Sequence, residues 1–208
     1  IWHYDEPFAD SSAIPTMYLS RMTRQHVTVA LSGDAGDELF AGYDRYKAVR
    51  LAAMVDRLPG FVRRFLGASL WQKLPSSVEQ KSKRRRLKRL LAALNESPER
   101  RYLQWISIFD DAQRSEVLSS ELRDQLNESD PARFLLSAYG ECPHRDFVTR
   151  TTCADVHTYL PCDLLTKVDL ASMSVALECR GPFLDHRVVE LAARMPIGLK
   201  QTRAGGKR

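Results

Sequence analysis

The sequence predicts an α/β fold in which helices dominate. Three observations carry that expectation. They are a short uncharged alternating run at Val27–Leu31, a glycine-rich acidic turn directly after it, and helical spacing of apolar residues through much of the remaining chain. In the run, Val27, Val29 and Leu31 alternate with Thr28 and Ala30, which predicts one short buried parallel strand. It leads into Ser32-Gly33-Asp34-Ala35-Gly36-Asp37-Glu38, with two glycines and three carboxylates in seven residues. Leu39, Phe40 and Tyr43 then fall at helical spacing. A strand, an acidic glycine turn and a helix make a ligand-holding corner at the carboxyl end of a strand in open α/β sheets. Glycines let backbone amides approach phosphate. The carboxylates would repel phosphate unless a cation such as Mg²⁺ lay between them. The corner therefore reads as a metal–nucleotide site, with a plain solvated, capped turn as the bland alternative.

Bulk properties exclude several classes. At 208 residues the chain is long enough for one sizeable core or for part of a larger domain. Its 44% hydrophobic and 27% charged residues are ordinary for a globular protein, and a net charge of +5 is only mildly basic. No run of about 18 apolar residues occurs, so no membrane span is expected. The chain opens on Ile1-Trp2-His3-Tyr4 without Met or signal peptide, and the expectation is a piece of a longer polypeptide. Cys142, Cys153, Cys162 and Cys179 show no C-x-x-C spacing and are expected to be reduced thiols in a cytoplasmic protein. Cys142, His144, Cys153, His157 and Cys162 cluster in sequence, but their spacing fits no zinc template.

Taken in order, Asp5-Glu6-Pro7 to Asp10-Ser11-Ser12 is an acidic turn that leads into a helix capped by Ser11 or Ser12. Pro15 is tolerated in its first turn, and Ile14, Met17, Tyr18 and Met22 predict its apolar face. After the central corner, Leu51, Met54, Val55 and Leu58 form a stripe that stops at Pro59-Gly60; Phe61, Val62, Phe65 and Leu66 start another. Lys81–Arg89, KSKRRRLKR, carries seven positive charges in nine residues. No aromatics interleave with it and no RNA-binding motif accompanies it, so a solvated helix face is expected and no nucleic-acid partner. Tyr102, Trp105, Ile106 and Phe109 predict a core stripe, and helix starts are expected near Asp110-Asp111 and Ser119-Ser120-Glu121.

Leu160-Pro161-Cys162-Asp163 reads as a helix start, with the charge of Asp163 suited to the dipole. Leu164, Val168, Ala171 and Val175 give an apolar seam, while Asp163 and Lys167 stand four apart as a surface pair. Glu178 and Arg180 admit a structural ion pair.

Four collinear segments carry a family resemblance: DEPFADSSAIPTMYLS at Asp5–Ser20, SGDAGDELFAGYDRY at 32–46, the long run Leu160–Pro196, and the terminal Gly205-Gly206-Lys207. The chain resembles the synthetase part of the glutamine-dependent asparagine synthetase family. Both ends match well, and Leu51–Arg150 only loosely. The resemblance implies an adenine-nucleotide α-hydrolase-like (ATP pyrophosphatase) domain, incomplete here. It also implies ATP and Mg²⁺ as cofactors, with aspartate and ammonia as the other reactants. ATP·Mg²⁺ would activate the side-chain carboxylate of aspartate as an acyl-adenylate, and ammonia would then displace AMP.

On this reading Ser32, Gly33 and Gly36 handle the nucleotide, and Asp37 binds Mg²⁺ with support from Glu38. Asp34 occupies the position important for forming the aspartyl-adenylate, where several relatives carry Glu. Lys207 counters charge developing on pyrophosphate, a task suited to a mobile ammonium. Asp5, Asp10, Lys167, Asp169, Glu178 and Arg180 are expected along the substrate pocket. The family's first phosphate loop, Ser-Gly-Gly-x-Asp-Ser, and its glutaminase domain with an N-terminal nucleophilic Cys do not occur in this sequence. The expectations are thus a partner glutaminase domain in the parent protein, an isolated chain that is inactive, and a homodimer as an allowed assembly. Two rivals stay open: a relative that amidates a glycan, peptide or β-lactam precursor, and a non-catalytic remnant that binds nucleotide or partners.

Overall fold

The computed structural model describes residues 2–62, 91, 93–109, 111–126, 130 and 132–201. Lys207, its two preceding glycines, the basic run 81–89 and most of the second predicted stripe at 61–66 lie outside them. In chain order the described elements are α1 (Ala13–Arg24), β1 (Val29–Leu31), α2 (Gly36–Leu39) and α3 (Asp44–Val55). Then come α4 (Pro98–Ile106), α5 (Asp111–Val117), α6 (Ser120–Leu126), α7 (Ala132–Ala138) and α8 (Phe147–His157). A π-helical segment (Leu160–Leu165), α9 (Thr166–Met173), β2 (Glu178–Arg180), α10 (His186–Arg194) and α11 (Ile197–Lys200) complete the order. Among the described residues the chain is mostly helical, with one small parallel sheet. Among the described residues no helix is long and apolar enough to cross a membrane. It divides into two units, residues 1–43 with 152–208, and residues 44–151.

In the first unit β1 pairs in parallel with β2, Val29 opposite Glu178, Ala30 opposite Cys179 and Leu31 opposite Arg180. The strand is shorter than the expected 27–31, and it is not buried: Leu31 is 75% exposed and Val29 38%. Side chains alternate across a strand, and with a single paired neighbour among the described residues only the Ala30/Cys179 face is partly covered. The core of this unit lies instead under α2. Ala35, Leu39, Leu160 and Ala192 are buried together, and Phe40, Val156, Leu164, Leu165, Val188 and Val189 pack on them.

Helix α1 corrects two expectations. Ser12 stands at its N-cap, but its side chain makes no capping hydrogen bond. The expected apolar face is outward, with Ile14, Tyr18 and Met22 each exposed by more than 60%. The helix docks on α9. The residues α1 buries are small, Ala13 and Ser20, as are Ala171 and Ser172 on α9, and small side chains allow close helix approach.

The predicted helix start at Leu160 is also corrected. The chain is already helical from Phe147, and residues 160–165 continue it as a π-segment into α9. Pro161 has no N–H to give. Its carbonyl accepts a hydrogen bond from Thr166 Oγ1 at 2.8 Å, five residues on. Asp163 therefore lies mid-helix, away from any free N-terminus.

In the second unit the buried face of α3 is Tyr46, Val49 and Ala52, while the expected stripe of Leu51, Met54 and Leu58 faces out. Of the predicted core stripe Tyr102, Trp105, Ile106 and Phe109, Tyr102 is fully buried, but Phe109 is 56% exposed. The helix starts at α5 and α6 agree with expectation. Sequence-coded caps set several helix ends here. Ser97 Oγ accepts from Arg100 N at 3.3 Å with Pro98 opening α4, and Asp146 Oδ1 accepts from Thr149 N at 3.0 Å in α8.

Candidate functional site

The carboxyl ends of β1 and β2 are stitched together by Ser32 N donating to Arg180 O at 2.8 Å. This directs residues 32–35 off the end of the sheet, where an open α/β fold places its ligand. Gly181 follows β2 closely: a Cβ there would stand 2.8 Å from Leu184 Cδ1 and 3.6 Å from Ser32 Oγ. Gly33, by contrast, is exposed, and an added Cβ would meet nothing within 4 Å. That open side is where a phosphate group could approach backbone.

The turn itself is held in an uncommon conformation. Ala35 has φ 70° and Ala41 φ 52°, both left-handed, and both are essentially fully buried. They bracket α2. Gly36 N donates to Gly33 O at 3.2 Å, Leu39 N to Ala35 O at 2.9 Å and Gly42 N to Asp37 O at 2.8 Å. A side chain in the left-handed region costs roughly 1–2 kcal/mol, and here the methyl groups, buried in the surrounding packing, offset it. Ala35→Gly should thus be nearly neutral, trading relief of strain against about 0.8 kcal/mol of lost methyl burial. Ala35→Val should cost about 2–3 kcal/mol, because a branched side chain tolerates neither the dihedral nor the space. Urea midpoints of the two variants check this, and equal losses would contradict it.

Within the turn the carboxylates differ in environment. Asp34 and Asp37 are half-buried. Glu38 is 1% exposed and accepts a hydrogen bond from Tyr43 OH at 2.6 Å. Tyr43 in turn meets the edge of Tyr159, at 6.3 Å and 79°. Glu38 is thus a fixed inner carboxylate behind a more accessible Asp37. Tyr43 belongs to the recognisable stretch, but its helical spacing reads only as core, so its polar role was not legible.

Among the remaining predicted residues, Lys167 pairs with Asp10 and Arg180 with Glu178, while Asp5 and Asp169 stand exposed. Lys167 is almost completely buried. Its Nζ donates to Asp10 Oδ2 at 2.6 Å and to Ser12 Oγ at 2.8 Å, so Asp10 replaces Asp163 as its partner. Ser12 Oγ donates to Asp10 Oδ2 at 2.7 Å, and Ser12 N to Asp10 Oδ1 at 2.8 Å. Burial pushes the Asp10 carboxyl up, but the bonds from Lys167 and Ser12 outweigh it and hold the group below its ordinary value. Burial likewise lowers the Lys167 ammonium, and its bond and attraction to Asp10 more than reverse that, leaving it raised. Both groups therefore stay charged across the neutral range.

Asp5 is exposed with φ 58°, and Asp169 is exposed on α9. Glu178 and Arg180 form the ion pair that their spacing admits, with Arg180 Nε 2.8 Å from Glu178 Oε1, on the open face of the sheet. An exposed pair of this kind contributes little stability. The four cysteines are free, and among the described residues no three His, Cys, Asp or Glu side chains gather as a metal cluster. A Mg²⁺ site need not gather three such side chains, since Mg²⁺ takes one or two carboxylates and completes its shell with water and substrate phosphate.

The profile of the asparagine synthase family matches residues 1–208. A putative glutamine-hydrolysing asparagine synthetase of Mycobacterium tuberculosis is 36% identical over 207 residues, covering 100% of this chain and 30% of that protein. Glutamine-hydrolysing asparagine synthetase 1 of Bacillus subtilis is 30% identical over 200 residues, covering 96% of this chain and 30% of its own length. A putative synthetase of the same type from Methanocaldococcus jannaschii is 48% identical over 62 residues. No solved structure gives a significant match. The chain thus spans about 30% of the length of the first two relatives. With the family's profile matched from the first residue to the last, this chain belongs to the asparagine synthase family.

Proposed function

We propose that this chain supplies the nucleotide- and metal-binding corner of a glutamine-dependent asparagine synthetase. The observation that carries the reading is the turn at residues 32–38. It leaves the carboxyl end of a parallel strand pair with an open glycine, an accessible Asp37 and a buried, hydrogen-bonded Glu38. Family membership supplies the rest, since the family uses ATP.

In the reaction the aspartate side-chain carboxylate attacks the α-phosphorus of ATP, and the bond to pyrophosphate breaks. Ammonia then attacks the acyl carbon, loses a proton, and the bond to AMP breaks. Adenylation matters because a bare carboxylate has no leaving group better than oxide. The chain's own contribution is placement and electrostatics. Ser32 and Gly33 border the nucleotide, Gly36 gives the turn its shape, and Asp37 would hold Mg²⁺. Mg²⁺ bound there would neutralise phosphate charge that the carboxylates otherwise repel. Glu38, held by Tyr43, supports Asp37 from inside the fold, and Asp34 borders the forming acyl-adenylate. Lys207 offsets charge on departing pyrophosphate. Ammonia comes from glutamine hydrolysed by a glutaminase domain outside these residues.

The test is ATP–pyrophosphate exchange by the intact protein. Exchange that requires both Mg²⁺ and aspartate is expected. Exchange supported by a glycan, peptide or β-lactam precursor carboxylate, and not by aspartate, would reassign the acyl acceptor. No exchange with any carboxylate would overturn the ligase reading.

A further inference from the structure

Residues 4–12 contain no helix or strand, and Asp5 within them has a left-handed backbone. Backbone bonds tie its last residues to α1, Ala13 N donating to Asp10 O at 3.0 Å and Ile14 N to Ser11 O at 3.4 Å. Both ends of the segment also meet a single residue, Lys167. At one end Tyr4 OH donates to the backbone carbonyl of Lys167 at 3.2 Å, with the Tyr4 ring stacked on Phe8 at 4.8 Å. At the other end Asp10 and Ser12 both accept from the Lys167 ammonium. Asp10 and Ser12 also bond to each other, so Lys167, Asp10 and Ser12 close a hydrogen-bonded triangle.

A surface lysine does not do this. The three ammonium hydrogens are directional donors, and two of them are committed to partners whose remaining bonds interlock. An ammonium so engaged is poorly placed to reach a substrate. It is well placed to fix a loop, because breaking the triangle leaves a buried charge without its counter-charge. The segment so pinned carries Asp5 and Glu6, both exposed.

We propose that Lys167 is a positioning residue, which clamps the loop of residues 4–12 at both ends onto α9 and does not itself touch substrate. Where this loop borders the aspartate pocket, the clamp sets substrate affinity more than turnover. That second statement rests on the ligase reading; the clamp does not.

The experiment compares Lys167→Met with Lys167→Arg in the intact protein, by hydrogen exchange at residues 4–12 and by aspartate-dependent pyrophosphate exchange. Methionine keeps the length and apolar stem without the donor. It should speed amide exchange in the loop by about tenfold and raise KM for aspartate by about tenfold with kcat within about threefold. Arginine, which can still pair with Asp10, should restore most of both. Unchanged loop exchange in Lys167→Met would overturn the clamp. So would an arginine variant that restores loop protection but not activity, since that would place Lys167 in contact with substrate. A wild-type protein without aspartate-dependent turnover would sink aspartate as the acyl acceptor, while loop exchange would still decide the clamp. If Lys167→Met does not fold, Ser12→Ala replaces it: faster loop exchange supports the clamp, and unchanged exchange overturns it.

Discussion

Asp37→Asn in the intact protein is expected to lower ATP–pyrophosphate exchange by about a hundredfold or more while glutamine hydrolysis continues at its normal rate. The substitution keeps the size of the side chain and removes its charge. The backbone at residue 37 stays anchored, because Gly42 N donates to its carbonyl at 2.8 Å in either variant. The loss should therefore fall on metal affinity. Raising Mg²⁺ should recover part of the exchange, since one hard ligand is weakened while phosphate oxygens still bind. Glu38→Gln gives the contrast. Its Oε1 accepts from Tyr43 inside the fold, so that variant should lose stability and only part of its exchange. Full exchange by Asp37→Asn at ordinary Mg²⁺ would remove Asp37 from the metal site. Equal losses from both variants would mean that the turn, rather than the metal, had been disturbed.

The corner that these variants probe was legible because its signals are local. Strand alternation, the glycine–acid turn and the short helix all lie within about twenty residues, and each is set by near neighbours. What failed was the choice of buried face. Periodicity finds an apolar side of α1 and α3, but the partner decides which side is covered. Helix α1 docks on α9 and buries Ala13 and Ser20, whose small size makes them weak signals, and leaves Ile14, Tyr18 and Met22 outside. Conformational strain was equally hidden. Glycine is the residue that sequence reading associates with left-handed backbone, yet at this turn Ala35 and Ala41 adopt it.

Lys167 shows the limit most sharply. Asp163, four residues earlier, is the partner that helix spacing offers, but the π-segment ending at Leu165 lies between them and breaks that spacing. Asp10 lies 157 residues away in sequence, and nothing in local pattern could select it. The π-segment itself was announced only by Pro161, which reads more simply as a first-turn proline. It also serves the site. Leu160, Leu164 and Leu165 pack with Ala35 and Leu39 beneath the acidic turn, while Lys167, just beyond, holds the loop of residues 4–12. One continuous helical stretch thus supports two parts of the predicted site by opposite means, apolar packing and ion pairing.

The second unit should be most sensitive to Arg101, which the sequence presents as one of many arginines. Its side chain is 2% exposed and forms a two-pronged pair with Asp56, Nη1 to Oδ2 at 3.0 Å and Nη2 to Oδ1 at 2.8 Å. Nε also donates to Ala93 O at 3.0 Å, and Nη2 to Glu96 O at 3.3 Å. One guanidinium thereby ties the end of α3 and the turn at Ala93–Asn95 to α4. Removing the guanidinium leaves the Asp56 charge without its counter-ion and takes a donor from both carbonyls, although Ala93 O keeps Glu96 N at 3.2 Å, a loss of about 3–5 kcal/mol. Arg101→Met should show it as faster hydrogen exchange across α3 and α4, with exchange at α1 and α9 little changed. Arg101→Lys should recover little, because an ammonium cannot reproduce the planar fork. The decisive variant is the double one. Arg101→Met with Asp56→Leu removes both charges, so it should be more stable than Arg101→Met alone if the penalty is the orphaned carboxylate. A double variant as unstable as the single one would place the cost in the two backbone carbonyls, and Arg101 would then be a cap for the 93–96 turn before it is an ion-pair partner.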